Sequence, residues 1–283
     1  MQQYSIFAFA DEADPFIPGQ IEAMKRNGLK GLEIRNVDGT NITDISLEKA
    51  REVRKQLDDH GFVTWSLGSP IGKQKIAKDF APELERFKHT LELAHELGSE
   101  NIRLFSFFMP KGEDPAIYRN EVIDRMGQFV DAARGSGVNL CHENEKGIYG
   151  DIADRCLDLH QQLPELKGIF DPANFVQCND DTMRGWALLK DHIYYLHIKD
   201  ALLSGDVVPA GHGAGNVKYI VKEFLAKGGQ AMTVEPHLRI FAGLKELEEN
   251  GDMGAIGKQF TYPTADAAFD AACNALKAVL EAV

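Results

Sequence analysis

The chain has 283 residues, 44% of them hydrophobic, enough to bury one sizeable core. Its 43 acidic residues outnumber 31 basic ones for a formal net charge of -12, and no Lys/Arg-rich run offsets that charge, which argues against nucleic acid as the main partner. Cys141, Cys156, Cys178 and Cys273 are scattered without the close pairing of a CxxC metal site or the density of a disulfide framework, as expected of reduced thiols.

The opening MQQYSIFAFADEAD lacks the basic start and long apolar core of a leader, and no later run approaches membrane-spanning length. The expectation is a cytoplasmic protein without a membrane partner. Short apolar or alternating runs then recur along the chain, at 4–9, 31–34, 63–67, 101–105, 139–142, 168–170, 193–198 and 231–234. Each is followed by a segment of helical character, the rhythm of repeated βα units. Leu84, Phe87, Leu91 and Ala94 form one apolar helical stripe; Ala265, Phe269, Ala272, Leu276 and Val279 form another, after a start marked by Pro263 and Thr264.

Eight such units predict a (β/α)8 barrel of the α/β class, with its active site at the C-terminal ends of the strands; an open doubly wound sheet is the alternative. No repeat, low-complexity tract or linker divides the chain, so residues 1–283 read as one domain. Residues 239–262 carry Gly243, Gly251, Gly254 and Gly257, which suggests a long loop over the barrel mouth, either a lid or a variable surface excursion.

Four strand ends carry candidate ligands. Glu143 ends the fifth strand in LCHENE, Asp171 the sixth in GIFDPAN, His197 lies near the end of the seventh in YYLHIKD, and Glu235 ends the eighth in MTVEPH. The gaps of 28, 26 and 38 residues are each about one βα unit, so four adjacent strands bring one ligand apiece to the same rim. Taken singly, a strand-end Asp is often a helix cap and a lone buried His a core residue. Together, three carboxylates and an imidazole form a hard, oxygen-rich set suited to Mn²⁺ or Mg²⁺, with Zn²⁺ or Co²⁺ also accommodated.

The segments HENE at 142–145, FDPANF at 170–175, LHIKDA at 196–201 and VEPH at 234–237 resemble the xylose isomerase-like, or sugar phosphate isomerase/epimerase, superfamily. The resemblance covers nearly the whole chain. It implies a TIM barrel holding a divalent metal through Glu143, Asp171, His197 and Glu235, with Glu143 and Glu235 as the acid/base pair on opposite faces of a carbohydrate substrate. The implied reaction is isomerisation or epimerisation of a sugar or keto-sugar through an enediolate, by removal of a proton next to a carbonyl.

Other positions are candidates for substrate contact. Lys199 shares a strand face with His197, and Asp200 either orients a ligand or caps the next helix. His212 lies in the Gly-rich stretch VPAGHGAGN, and Lys73, with Ser69, follows the third strand in SLGSPIGK, where a solvated loop lysine is the competing account. Glu33, Arg35 and Arg103 read as barrel-core ion pairs. Alternation turns His142 toward the helices, and Asn144 and Glu145 are candidate supports for the ligands.

Two positions depart from the ketose 3-epimerases of this superfamily, which usually carry histidine where this chain has Asn174 and arginine where it has Leu203. Asn174 is retained as a substrate contact, but the epimerase grip on a free ketohexose is not reproduced. A rival reading keeps the same base and expels a leaving group, as a lyase or dehydratase acting by β-elimination on a 3-keto-glycoside or related keto compound. A non-catalytic metal-binding subunit is a third class. A DNA-repair endonuclease fits neither the ligand set nor the charge. Assembly into a homo-oligomer is left open.

Overall fold

In a computed structural model, which describes residues 4–239 and 260–283, eight parallel strands close into a barrel. They are β1 (Ser5–Ala8), β2 (Gly31–Ile34), β3 (Val63–Leu67), β4 (Asn101–Leu104), β5 (Asn139–Glu143), β6 (Lys167–Phe170), β7 (Ile193–Ile198) and β8 (Ala231–Val234). Their order around the barrel is sequential, and β1 pairs with β8 in the register Ser5 to Ala231 through Ala8 to Val234. The expected (β/α)8 architecture is the observed one.

Helices α1 (Ile17–Asn27), α2 (Leu47–Asp59), α3 (Ala81–Leu97), α4 (Arg119–Ala133), α5 (Ala153–Gln162), α6 (Pro172–Gln177), α7 (Thr182–Leu189), α8 (Val217–Ala226) and α9 (Ala265–Glu281) surround it. Local chemistry sets their ends. Ser46 caps α2 by accepting from Lys49 N–H, and Thr264 caps α9 by accepting from Ala267 N–H. Gly28 and Gly98 close α1 and α3 in the left-handed region, at φ 64° and 67°. The predicted stripes bury as expected: Phe87, Leu91 and Ala94 on α3, and Phe269, Ala272, Leu276 and Val279 on α9, lie in the core.

Two short hairpins, Asn36–Val37 with Thr40–Asn41 and Asp200–Ala201 with Val207–Val208, follow β2 and β7 at the C-terminal rim. The predicted loop at 239–262 falls largely on residues outside those described. No helix among the described residues is long and apolar enough to cross a membrane.

Candidate metal centre

Strand geometry delivers the four candidate ligands to one place. Glu143 is the last residue of β5, Asp171 and Glu235 directly follow β6 and β8, and His197 is the penultimate residue of β7. All four are buried, and one ligand atom from each lies within 4.8 Å of the others.

Asp171 does two things at once. Its Oδ1 accepts from Asn174 N–H at 3.0 Å, capping α6, while its Oδ2 is buried and accepts no hydrogen bond. The Lys199 ammonium lies 3.0 Å from that oxygen without the alignment of a hydrogen bond. The Asn144 side chain clasps the backbone of Asp171, accepting from its N–H and donating to its carbonyl, both at 2.9 Å. The residue beside one candidate ligand thus holds the next strand's ligand in place.

His197 stands between carboxylates. Its Nδ1 is 3.0 Å from Glu143 Oε1 and 3.6 Å from Glu235 Oε2, and its Nε2 is 3.0 Å from Glu33 Oε2. Burial opposes the imidazolium, but Glu143 and Glu33 outweigh it and hold the pKa well above the usual histidine range. Burial likewise pushes Asp171 up to about 7 against the pull of Lys199. Burial opposes ionisation of Glu235 too, yet Lys199, His237 and His197 hold its pKa well below the usual range. Lys199 Nζ is 3.0 Å from Glu235 Oε2.

Two arginines back the glutamates. Arg103 donates to Glu143 Oε2 at 3.1 Å and to the Gly68 carbonyl at 2.9 Å. Arg35 donates to both oxygens of Asp11, at 2.9 and 3.0 Å, and to Glu12 at 3.1 Å, with Glu235 Oε1 at 3.7 Å. Both guanidiniums lie against the Phe9 ring, 4.7 and 4.9 Å from its centre. The expectation of plain core pairing for Arg35 and Arg103 therefore understated their position, and Glu33 meets His197 rather than an arginine.

The donor set fits a divalent cation. Three carboxylates and an imidazole converge in a buried space, and one oxygen, Asp171 Oδ2, has its hydrogen-bonding capacity unspent. A lysine and a protonated histidine now balance part of that negative charge. The cluster can hold a divalent metal.

The remaining candidates are spread around the centre. Asn174 donates to the Asn144 carbonyl at 2.9 Å and reaches Glu143 Oε1 at 3.4 Å, so it is anchored among the ligands. Lys73 is no solvated loop lysine: its ammonium is 2.7 Å from Glu145 Oε2 and 4.5 Å from the centre of the Phe105 ring. Asp200 instead clamps the Gly-rich loop, accepting backbone N–H groups of Ala201, Gly211, Gly213 and Gly215. His212, carried on that loop, is exposed and packs against Phe260. His142 faces the helices as alternation predicted, 2.9 Å from Ser106 Oγ, and burial lowers its pKa to about 3.

Sequence reasoning passed over Asp11, Glu12 and His237. Glu12 Oε2 accepts from His237 N–H at 2.7 Å, His237 Nε2 lies 3.4 Å from Glu235 Oε1, and burial raises the Glu12 pKa to about 8. The signal was present: FADEAD runs straight off β1 and VEPH off β8, the same strand-end positions that singled out the ligands.

The xylose isomerase-like TIM barrel family matches residues 21–252. Among solved structures, the IolI protein with a binding zinc atom is similar at 15% identity and TM-score 0.74, over 98% of each chain. The probable 3-DHS dehydratase AsbF from Bacillus anthracis is similar at 15% identity and TM-score 0.73, over 97% of this chain and 98% of that one. D-allulose 3-epimerase from Methylomonas sp., in complex with D-allulose, is similar at 14% and 0.74, over 99% and 98%. At such identities the likeness is one of fold. No curated protein matches the chain in sequence.

Proposed function

The chain belongs to the xylose isomerase-like TIM barrel family, and from that premise we propose that it is a divalent-metal-dependent isomerase or epimerase of a sugar or keto-sugar. The observation that carries this reading is the convergence of Glu143, Asp171, His197 and Glu235 within 4.8 Å in a buried site at the C-terminal rim. The hard donor set favours Mn²⁺ or Mg²⁺. A cation bound there would polarise a carbonyl and a neighbouring hydroxyl and stabilise the charge that develops as the proton leaves.

The chain's own groups supply the proton transfer. Glu143 and Glu235 follow strands three apart around the barrel, with β6 and β7 between them, so their carboxylates approach a bound substrate from different sides. One removes the proton next to the carbonyl and the other returns a proton, to the same carbon from the opposite face for epimerisation or to the former carbonyl carbon for isomerisation. Lys199, 3.0 Å from both Glu235 and Asp171, would donate to a substrate oxygen in this reading; Asn174 reaches Glu143, and Lys73 and His212 are carried on loops after β3 and β7. The structural likeness to a sugar epimerase bound to D-allulose supports a carbohydrate substrate.

The test joins metal analysis to product analysis. Protein purified without chelator should carry a divalent metal, and turnover of a keto-sugar in deuterated water should leave one deuterium on carbon with no group lost. Release of an aglycone or formation of an unsaturated product would replace this reading with β-elimination from the same site. Glu143→Gln and Glu235→Gln should each lower kcat by about 100-fold or more; unchanged turnover in both would remove the acid/base assignment.

A further inference from the structure

Glu33 stands on β2, three strands around the barrel from His197 on β7, yet its carboxylate reaches the imidazole. Its Oε2 lies 3.0 Å from His197 Nε2, its Oε1 accepts from the Tyr195 hydroxyl at 2.9 Å, and that hydroxyl is 3.3 Å from Ser66 Oγ. Three features of the fold bring these groups together. Tyr195 and His197 are two residues apart on β7 and so share the inward face. The pairing of β2 with β3 slips by one residue at this point: Leu32 pairs with Thr64 but Glu33 with Ser66, a bulge that re-aims the side chain. Gly68 leaves the space clear, since a Cβ there would lie 2.5 Å from the Phe9 ring and 3.4 Å from Glu33 Cγ.

A fully buried carboxylate is costly to desolvate. Its direct partners are the Tyr195 hydroxyl and the His197 imidazole. What it does contribute is the identity of the free nitrogen of His197. With Nε2–H committed to Glu33, Nδ1 is the nitrogen that faces Glu143 and Glu235.

We infer that Glu33 is a positioning residue for the metal centre: by accepting the Nε2–H of His197 it leaves Nδ1 to the cation. Tyr195, held near Ser66, fixes Glu33 in turn. The inference rests on the metal reading of the site above and adds the residue that sets the histidine's tautomer and ring angle.

Zn²⁺ titration of metal-stripped protein by calorimetry tests it, together with ¹⁵N-histidine NMR of the Zn²⁺-loaded form. Glu33→Ala should weaken Zn²⁺ binding about 10- to 100-fold and abolish the slowly exchanging Nε2–H signal of His197, with circular dichroism unchanged. In Glu33→Gln the amide oxygen can still accept from Nε2–H, so the signal should persist and the affinity fall less, within about 10-fold of wild type. Wild-type affinity in Glu33→Ala, or a ring metallated through Nε2 in the wild type, overturns the inference. Should Glu33→Ala fail to fold, Glu33→Gln decides: a retained Nε2–H with affinity within about 10-fold of wild type supports it, and loss of that signal with undiminished affinity overturns it. Wild-type protein that takes up no Zn²⁺ at all sinks the metal reading itself, which is distinct from uptake that ignores residue 33.

Discussion

His197 has Glu33 at one ring nitrogen and Glu143 at the other, so in the metal-free protein both nitrogens donate and the ring is charged. A cation arriving at Nδ1 must displace that proton, and protons therefore compete with metal. Asp171, with a pKa raised to about 7, adds a second competing proton as the pH drops through neutrality. Affinity for Mn²⁺ is expected to rise with pH by about tenfold per unit for each proton released. Calorimetry between pH 6 and 8 reads the slope directly, and a flat affinity would remove His197 and Asp171 from the ligand set. Asp171 also caps α6. Asp171→Ala should consequently cost the metal-free protein about 1 kcal/mol that Asp171→Ser, which keeps a capping hydroxyl, does not; equal melting temperatures for the two variants would deny the cap any weight.

Helix α5 meets the barrel through a column of imidazoles. His160 accepts no charge there: its ring stacks on His192 with centres 5.0 Å apart, its Nδ1 lies 3.1 Å from the Leu166 carbonyl, and burial, with His192, lowers its pKa to about 4. Above pH 6.5 the ring is neutral in both folded and unfolded chains and titration contributes nothing. Below it the unfolded chain binds a proton that the folded one refuses, so stability is lost as the pH falls from about 6.5 toward 4. Between pH 6.5 and 5 the loss from this residue is about 2 kcal/mol. Urea melts at pH 7.5 and pH 5 should show His160→Gln losing less stability than wild type over that interval. The same loss in both would place the acid sensitivity elsewhere in the molecule.

Across the whole barrel, charge narrows the substrate. Asp11, Glu33, Glu143, Asp171 and Glu235 are buried around the centre against Arg35, Arg103 and Lys199, five acidic groups to three permanent cations with Glu12 held neutral by burial, and Lys73 is matched by Glu145. A divalent metal would close that balance, and the described cations around the centre are already engaged. A phosphate or carboxylate on the substrate would arrive as a charge the engaged cations do not match, so a neutral ketose should be turned over with a kcat/KM about 100-fold above that of its phosphate ester, the scale set by ~3 kcal/mol for a poorly paired buried charge. Steady-state rates on matched pairs check this, and preference for the ester would refute it.

The scale of the contacts also explains what the sequence could disclose. Parallel strands covered on both faces read as short apolar runs, and a charged residue at the end of such a run marks the rim, so the eight strands and the four ligand candidates were legible. Partners were not. Glu33 meets a histidine 164 residues away, Lys73 a glutamate 72 away and Arg103 one 40 away. Periodicity reports which way a side chain faces but not what it meets across the barrel, and the slip that aims Glu33 has no local signature.

The closure of β1 against β8 has one more consequence, visible when the chain is divided at its middle. Every candidate ligand comes from β5 to β8, whereas Glu33 and Arg103, which bond directly to those ligands, and Arg35, 3.7 Å from Glu235, come from the first four units. Neither half of the barrel contains a finished site. Cation affinity is in this sense a gauge of assembly: the second half supplies every ligand, and the affinity would report how firmly the first half is docked behind them.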